Sequence, residues 1–501
     1  MSQATVAAPT SGDTAEHESN PHHARRWLIL GVIGLAQLMV VLDATIVNIA
    51  LPSAQVSLGF TDGARQWVVT AYALAFGSLL LIGGRIADLF GRKRALLIGL
   101  TGFAIASAVG GAANGIEMLL IARGAQGVFG ALLAPAALSL LTTTFTDPKE
   151  RGKAFGVFGA IGGGGAAIGL LLGGVLTEYL DWRWCMFVNI IFAVVALIGS
   201  SVLLRHQSTE GQRPKLDIPG AVTATAGLFA VVYGFSNATS HSWGSASVWG
   251  FLAAGVVLLG TFVVLQTRVS HPLLPLRVLL DRNRGAAYLT MFLLAIGMFA
   301  IFLFLTFYVQ RNLGFTPIRS GVAFLPMVAT LMISATTATA VLLPRFGPKL
   351  LLPLGMLIAA GGMWWLSQID ATSTYSGGVL FPLMVAGVGI GLSMAPAMSV
   401  AVLGVAAHDS GVASATVNTA QQIGGSIGTA LLSTLAANSA ASFLAGKTLS
   451  PQLAADAAVH SYTTAFAVAA GIFALGAIIT GLLLRPGVPQ VDSEAAAVVH
   501  M

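Results

Sequence analysis

Two ionisable residues stand inside stretches of sequence that otherwise carry no charge. Asp43 lies in the apolar stretch 27–51 and Arg123 in the apolar stretch 118–141. Inside a membrane a charged side chain is costly unless it faces a partner or a water-filled cavity, so both residues are candidates for function. If the two helices start from opposite faces, Asp43 lies roughly 24 Å from one face and Arg123 roughly 7 Å from the other. In a hydrocarbon core of about 30 Å these depths are similar, so we predict that the two residues form a pair.

A carboxyl group beside a cation can bind and release a proton. The cation favours the ionised carboxylate and burial favours the neutral acid, so small helix movements can shift the balance between the two forms. We therefore predict that Asp43 and Arg123 couple a proton to movement. The alternative for Asp43 is a hydrogen bond that only packs two helices together.

A second candidate is the segment 84–94, in which a glycine-containing turn leads into a basic cluster. Its glycines permit a tight turn, and its basic residues are typical of a membrane–cytoplasm boundary. A carboxylate at the end of a helix can interact with an arginine or with the start of a facing helix, so we predict a conformational switch here. The alternative is a plain membrane anchor. The candidate residues are Gly84, Asp88, Gly91, Arg92 and Arg94.

Glycines also recur through the stretch 154–176, where a spacing of four residues predicts close approach of a neighbouring helix. The candidate packing residues are Gly156, Gly165, Gly169, Gly173 and Gly174. No Lys followed by Ser or Thr comes after this run, and the similar segment 441–448 has Ala441 where a phosphate-binding loop needs its first glycine. We therefore expect no nucleotide-driven motor and no ATPase subunit. Cys185 is the only cysteine, and no Cys/His spacing predicts a metal site or another cofactor.

The elements that must position these residues are apolar helices. The chain has 501 residues, of which 56% are hydrophobic and 9% are charged, whereas soluble domains carry about 25% charged residues. This composition excludes a soluble enzyme, a disordered protein and a coiled coil. Fourteen stretches are long enough to cross a membrane. They are 27–51, 66–88, 95–113, 118–141, 154–176, 184–204, 217–236, 247–267, 285–309, 317–343, 349–368, 377–402, 411–437 and 460–484.

The distribution of Lys and Arg predicts the orientation of these stretches. With a cytoplasmic N-terminus we assign 19 of the 25 basic residues to the cytoplasmic side, five to the outside and one, Arg123, to a span. Both termini are then expected in the cytoplasm of a multi-pass protein of the plasma membrane. The pI near 9.7 is accounted for by this asymmetry, and we expect no binding of nucleic acid.

An internal repeat divides the chain. Phe90-Gly91-Arg92-Lys93 recurs as Phe346-Gly347-Pro348-Lys349, and the glycines at 165 and 169 recur at 424 and 428. Repeated six-helix halves are an architecture of secondary transporters, whose substrate site lies between the halves. We predict a tail at 1–26, a six-helix half at 27–204, a two-helix insert with linkers at 205–284, a second half at 285–484 and a tail at 485–501.

Four motifs give the chain a resemblance to a known family. They are the segment Leu42–Pro52, the segment 84–94, Arg123-Gly124-Ala125-Gln126-Gly127 and the glycine pattern 156–174, in which Leu170 replaces the usual proline. The chain resembles the fourteen-helix drug:proton antiporters of the major facilitator superfamily over about 27–485. The resemblance implies an all-α membrane protein of two six-helix halves plus two extra helices, and implicates Arg123 in proton coupling.

The expected function is export of hydrophobic drugs or antibiotics by alternating access, with protons as the coupling ion and small lipophilic neutral or monocationic substrates. Trp67, Tyr72, Phe76 and Gln126 are candidates to line the substrate path, although each of the aromatic residues fits core or lipid-facing packing equally well. The alternatives are a dedicated exporter of one metabolite, such as an antibiotic made by the host, a passive channel, and an intramembrane enzyme. No paired acids, His cluster or Ser/His/Asp set in the spans supports the enzyme.

Overall fold

The residues that the structure describes form fourteen long helices. The computed structural model describes residues 25–145, 148–204, 217–238, 243–269, 272–274, 276–403, 405, 410–448 and 450–487, and these residues contain no β-strand. The helices are α1 Arg26–Leu58, α2 Asp62–Phe90, α3 Arg92–Gly111, α4 Ile116–Thr144, α5 Pro148–Tyr179, α6 Trp184–Leu203, α7 Ile218–Asn237, α8 Ala246–Arg268, α9 Arg282–Asn312, α10 Pro317–Phe346, α11 Pro348–Leu366, α12 Tyr375–Val402, α13 Ser410–Leu444 and α14 Pro451–Leu483.

Each predicted span lies on one of these helices, but several helices extend beyond the apolar stretch. The helix α1 continues past residue 51 to Leu58 and ends on Gly59, which has a left-handed backbone with φ of 66°. The helix α14 begins at Pro451 rather than at residue 460, with the Ser450 side chain as its N-cap. Hydropathy detects only the part of a helix that crosses the hydrocarbon core, whereas backbone hydrogen bonding continues until a cap ends it.

The helices are long and apolar enough for a membrane protein. Within the described residues, twelve of them contain an apolar window of 18 residues. The other two, α2 and α5, coincide with the predicted spans 66–88 and 154–176 and include residues whose side chains lie outside the described part of the chain. Many large apolar side chains on the outer surface of the bundle are exposed, as on the lipid-facing side of a membrane protein. The prediction of an all-α integral membrane protein is confirmed.

The twelve helices outside the insert form two halves with the same packing. In the first half α2 packs on α4, α3 on α4 and α6, and α1 on α5 and α6. In the second half the pairs are α10 on α12, α11 on α12 and α14, and α9 on α13 and α14. The halves meet where α2 packs on α13 and where α5 packs on α10. These equivalent pairs confirm a fold of two six-helix halves.

Glycines at repeated positions make the same contacts in both halves. Gly91 and Gly347 have φ of 93° and 70°, in the region that favours glycine, and each joins two helices in its half. Gly165 lies against α1 and Gly424 against α9, so α5 and α13 approach their partners in the same way. The repeat in sequence is therefore a repeat in packing.

The two extra helices, α7 and α8, pack on each other, and α7 also contacts α2 and α13. Three contacts follow α2 along its length. Trp67 lies with its ring centroid 5.8 Å from that of Tyr233 on α7, Thr225 donates a hydrogen bond to the carbonyl oxygen of Ser78 at 2.9 Å, and Arg85 donates to the carbonyl oxygen of Pro272 after α8 at 3.0 Å. The insert is therefore attached along α2, at one of the two places where the halves meet.

Candidate functional site

Asp43 and Arg123 form an ion pair inside the first half. Arg123 Nη1 lies 2.5 Å from Asp43 Oδ2, and the residues are 1% and 0% exposed. They come from α1 and α4, which lie side by side. Arg123 Nε donates to the carbonyl oxygen of Val68 on α2 at 3.2 Å. In this environment the attraction between the charges is only weakly screened by solvent, so the pair is a strong link among three helices.

Two amide side chains complete the surroundings of the carboxylate. Gln126 Nε2 donates to Asp43 Oδ1 at 2.9 Å and to Ser107 Oγ at 2.8 Å, while its Oε1 accepts a hydrogen bond from Arg123 Nη1 at 2.9 Å. Asn189 Nδ2 donates to Asp43 Oδ1 at 2.8 Å. All five residues of this buried polar cluster, from α1, α3, α4 and α6, are fully or almost fully buried. Gln126 therefore belongs to the cluster that surrounds Asp43.

The aromatic candidates on α2 occupy two different surroundings. Tyr72 and Phe76 are buried and stacked, with centroids 5.6 Å apart, and the Arg123 guanidinium lies 4.5 Å from the centroid of the Tyr72 ring. A cation over an aromatic face is stabilised by the ring quadrupole. The Tyr72 ring therefore stabilises the charged guanidinium of Arg123. Trp67, by contrast, faces α7 of the insert.

The basic residues between α2 and α3 bind the ends of other helices. Lys93 Nζ donates to the carbonyl oxygens of Ser201, at 2.9 Å, and of Leu204, at the C-terminal end of α6. Arg92 Nη1 donates to the carbonyl oxygen of Ser139 on α4 at 3.5 Å, whereas Arg94 is exposed. Cations are favourable at helix C-termini, where carbonyl groups lack partners. Lys93 lies in the segment 84–94 but was not one of the candidate residues. Its ammonium group caps the C-terminal end of α6.

The remaining candidates of this segment differ in how far the structure describes them. Gly91 forms the turn between α2 and α3. A Cβ at Gly84 would lie 3.5 Å from Pro135 Cβ, an ordinary contact, whereas the neighbouring Gly83 lies directly against the α4 backbone at Ala131. The close approach of α2 and α4 is therefore at residue 83. The side-chain surroundings of Asp88 lie outside the described residues, as do those of Gly156 on α5.

The other glycines of α5 face two helices. Gly165, Gly169 and Gly173 lie against α1, at Leu38, Thr45 and Ile46. Gly174 lies against the start of α10, where a Cβ would be 2.7 Å from the Cα of Ile318 and 2.8 Å from the carbonyl oxygen of Pro317. The helix α5 continues through Leu170 without a break, and the Leu170 carbonyl oxygen lies 2.5 Å from where a Cβ of Gly321 would be. Thus α5 packs closely on α1 within its half and on α10 across the halves.

The halves are closed together at the end where α1 and α5 terminate, which we call the closed end. Three hydrogen bonds cross between the halves there. Gln310 Nε2 donates to the carbonyl oxygen of Ile49 at 3.3 Å, Arg311 Nη2 donates to Gln55 Oε1 at 3.0 Å, and the backbone N–H of Ile318 donates to Glu178 Oε2 at 3.0 Å. Asp43 lies in the middle of α1, on the inner side of these contacts.

Other acids that could share a role with Asp43 lie elsewhere. Glu117 is in the first turn of α4, and Glu178 is exposed at the closed end. Asp217 is buried, but it lies at the start of α7 in the insert, where it accepts hydrogen bonds from Gln266 Nε2 at 2.6 Å and from the Gly220 N–H at 2.9 Å. Asp43 is therefore the acid of the buried ion pair. Glu117 and Glu178 lie near helix ends, and Asp217 lies in the insert.

The cluster around Asp43 is suited to reversible protonation of one carboxyl group. Arg123 balances the charge of the carboxylate, and both amides donate hydrogen bonds to it. Within the part of the chain that the structure describes, no group of three His, Cys, Asp or Glu residues could hold a metal ion. The arrangement therefore presents one buried carboxylate beside one cation and two amide donors.

Sequence reasoning did not select Asn189, Ser107 or Lys93. Asn189 and Ser107 are polar residues in apolar stretches, and this is a usable signal because a polar group inside a membrane needs a partner. Other buried polar residues carry the same signal, including Thr290 and Ser393 in the second half. Only the packing of α4 and α6 on α1, and of α3 on α4, distinguishes those that join the cluster around Asp43.

Known proteins are similar to this chain over most of its length. The puromycin resistance protein pur8 of Streptomyces alboniger is 48% identical over 477 residues, which cover 95% of this chain and 94% of that protein. The cephamycin export protein CmcT of Amycolatopsis lactamdurans is 37% identical over 402 residues, covering 80% and 83% of the two chains. The inward-facing, unoccupied crystal structure of a bacterial homolog of the human lysosomal transporter Spinster has a TM-score of 0.65 at 15% identity, covering 93% and 97%. Residues 33–429 match the Major Facilitator Superfamily, to which this chain belongs.

Proposed function

We propose that this protein exports small lipophilic compounds from the cytoplasm in exchange for protons. The observation that carries the proposal is the buried Asp43–Arg123 pair, with its two amide partners, in the first half of the bundle. A buried ion pair contributes little net stability compared with apolar packing, and intramembrane ionisable groups mark ion and substrate pathways. A proton on Asp43 would neutralise the carboxylate and loosen the link between α1 and α4. The proton is the only coupling ion in this proposal, which needs no ATPase subunit.

The proton gradient supplies enough free energy for this exchange. Moving one proton down a potential of roughly 100 mV yields about 2.3 kcal/mol, and a difference of one pH unit adds about 1.4 kcal/mol. Together these sustain a gradient of several hundredfold for a neutral substrate, since about 1.4 kcal/mol corresponds to each factor of ten. One proton per cycle is therefore sufficient.

The proposed orientation places both termini in the cytoplasm of a cell with this protein in its plasma membrane. The excess of Lys and Arg on that side supports it. In this orientation the closed end faces outward, so the structure corresponds to a state closed to the outside. Alternating access then requires the contacts of Gln55, Glu178 and Gln310 across the halves to separate.

The relatives and the charge of the site support the proposed substrate class. Relatives are described as proteins for puromycin resistance, cephamycin export and tetracenomycin C resistance and export, which supports antibiotic-type substrates. Because each of these names refers to one compound, a dedicated exporter of a single antibiotic is the second candidate function. Resistance profiles of cells with and without the protein separate the two, since a dedicated exporter protects against one compound class and a multidrug exporter against several.

Asp43→Asn tests the proposal directly. An amide cannot carry the proton, so we expect the variant to lose uphill efflux while it remains in the membrane. The measurement is substrate transport in everted vesicles with an imposed pH gradient that is then collapsed, with puromycin as the first probe. The matched control is Asp217→Asn, which neutralises the buried acid of the insert and should retain gradient-driven transport. Wild-type efflux by an inserted Asp43→Asn variant contradicts the assignment.

A further inference from the structure

Each side chain that contacts the Asp43 carboxylate among the described residues is a hydrogen-bond donor. Arg123 Nη1, Gln126 Nε2 and Asn189 Nδ2 all donate to it. This arrangement suits the ionised carboxylate, which only accepts hydrogen bonds. A protonated carboxyl group has an O–H that must itself find an acceptor, because an unpaired polar hydrogen in a buried site is costly. The site must therefore supply an acceptor when the proton arrives.

The acceptor oxygens nearest to the carboxylate are not equally available. Gln126 Oε1 already accepts from Arg123 Nη1, and Ser107 Oγ accepts from Gln126 Nε2. Asn189 Oδ1 is buried and has no hydrogen-bond partner among the residues that the structure describes. It belongs to the same amide whose nitrogen now contacts Asp43, so half a turn about the terminal torsion exchanges the two atoms. Such amide torsions have two accessible orientations, and the hydrogen-bond partners decide between them.

We infer that Asn189 is a positioning residue for the transported proton, whose amide donates to ionised Asp43 through Nδ2 and accepts from protonated Asp43 through Oδ1. The inference rests on the proposed function of Asp43 as the proton site. No bond is broken apart from hydrogen bonds, and the proton remains on the carboxyl group. Asn189 thus offers a hydrogen bond to each form of the carboxyl group without changing the charge of the site.

The other titratable groups around Asp43 do not replace this role. Arg123 on α4 is a permanent cation, and Cys185 on α6 is one helical turn before Asn189. The Tyr72 hydroxyl on α2 is also buried without a partner among the described residues, but the Tyr72 ring lies under the Arg123 guanidinium and the hydroxyl makes no hydrogen bond to the described carboxylate. Cys185 interacts with Thr177 and with the carbonyl oxygen of Gly173. The stretches of α3 and α5 that pack beside the cluster, residues 95–113 and 154–177, contain no titratable side chain. Asn189 therefore offers the free acceptor oxygen attached to a group that already contacts the carboxylate.

The test measures the protonation of Asp43 directly and without substrate. In the detergent-solubilised full-length protein, the infrared carboxyl band that disappears in Asp43→Asn is followed as a function of pH. Asn189→Leu removes both hydrogen bonds. Because the bond to the charged form is about twice as strong as that to the neutral form, the pH midpoint of this band should rise by about one unit.

Asn189→Asp is the second variant and is almost the same size as the native residue. Two carboxyl groups at hydrogen-bond distance resist simultaneous ionisation, so the pair should retain one proton about two pH units or more above the wild-type midpoint. The matched control is Ser200→Ala, a buried position on α6 whose hydroxyl has no partner among the described residues, which should leave the midpoint unchanged. The pH profile of transport should shift in the same order, from wild type to Asn189→Leu to Asn189→Asp.

The outcomes separate this inference from the proposed function. If the band depends on Asp43 but its midpoint is the same in both Asn189 variants and wild type, the inference is wrong and the role of Asp43 stands. An equal shift in Ser200→Ala also overturns it, because the effect would then come from α6 packing. If no carboxyl band depends on Asp43 and transport does not depend on the pH gradient, the proposed function is wrong. The inference about Asn189 is then wrong as well, because it rests on that function.

Discussion

At the scale of single residues, the two members of the ion pair differ in how they respond to the loss of the other. Asp43 can become neutral by taking up a proton, whereas an arginine stays charged at any relevant pH. Both lie in the same buried cluster, so a lone charge there has no access to solvent. Removing the carboxylate therefore leaves an uncompensated cation, while removing the guanidinium leaves a group that can neutralise itself.

This asymmetry predicts the stability of three variants. Asp43→Asn should reduce the free energy of unfolding by about 3 kcal/mol, as expected for breaking a buried pair, and Arg123→Gln should reduce it by less. The double variant Asp43→Asn/Arg123→Gln should be more stable than Asp43→Asn because no charge remains buried. Thermal unfolding in detergent measures the order. If the double variant is the least stable of the three, the two residues do not act as a pair.

Transport should not follow stability in these variants. The double variant has no group to carry the proton, so it should remain without uphill efflux even where its unfolding midpoint returns towards that of wild type. Exchange of substrate down its own gradient should persist, since the helices can still move. Recovery of uphill efflux in the double variant would show that the proton binds elsewhere.

At the scale of elements, α5 is the helix that connects the ion pair to the closed end. It packs on α1 through Gly165, Gly169 and Gly173 and on α10 through Gly174. Small residues allow two helix backbones to approach closely, and in a membrane this packing replaces the hydrophobic effect as the source of association. We therefore expect a movement of α1 after protonation of Asp43 to reach the contact between the halves through α5.

Adding one methyl group at this contact should open the closed end. In Gly174→Ala the Cβ meets the α10 backbone at Pro317 and Ile318, which cannot rotate away. The matched control is Gly164→Ala, on the same helix, where no described atom of a neighbouring helix lies within 4 Å of the added Cβ. We expect the first variant to favour the open state by about 1 kcal/mol, a factor of about five in population, and the second to behave as wild type.

Accessibility at this end measures the change. With Cys185 replaced by serine, Ser53→Cys places a single thiol in the groove beside the closed end. Its labelling by a maleimide that cannot cross membranes should be about five times faster in Gly174→Ala than in Gly164→Ala, in proportion to the open population. Equal labelling rates would show that the α5–α10 contact does not control opening.

At the scale of the whole molecule, the family confirms a membrane transporter rather than an enzyme. In this chain the acidic residues within the spans are distributed unevenly between the two halves. The predicted spans of the second half, from 285–309 to 460–484, contain no Asp or Glu. The first half contributes one acid at depth, Asp43, since Glu117 and Glu178 lie near helix ends. When Asp43 is released from Arg123, an apolar path with this one carboxylate can neutralise at most one positive charge, and an unpaired second charge is costly to bury.

This distribution predicts the charge of the substrates. Neutral and monocationic lipophilic compounds should be exported well, and dications of the same size should be exported at least ten times more slowly, since about 1.4 kcal/mol of unpaired burial has that effect. Proton-driven efflux of two ligand series matched in size, one monovalent and one divalent, provides the measurement. Equal transport of the divalent series would require a second acid in the path.

The sequence by itself determined the number and type of the elements and the identity of the central pair. Apolar stretches of about 20 residues must be helices in a membrane because no water is present to satisfy an open backbone. Asp43 and Arg123 stood out because a charge there needs a partner, and helix geometry placed both at a similar depth. The repeat was visible because both halves need glycine at the same turns and close contacts, such as Gly91 and Gly347.

Only the tertiary structure decided which side chains surround that pair. Asn189 and Ser107 are two among many polar residues in apolar stretches, and the rotation of α3 and α6 about their axes brings them to the cluster. The tertiary structure likewise shows that Trp67 faces the insert, that α2 approaches α4 most closely at Gly83, and that Lys93 caps the C-terminal end of α6. Hydropathy reports depth along a helix but not the direction in which a residue faces, because lipid and protein interior are equally apolar.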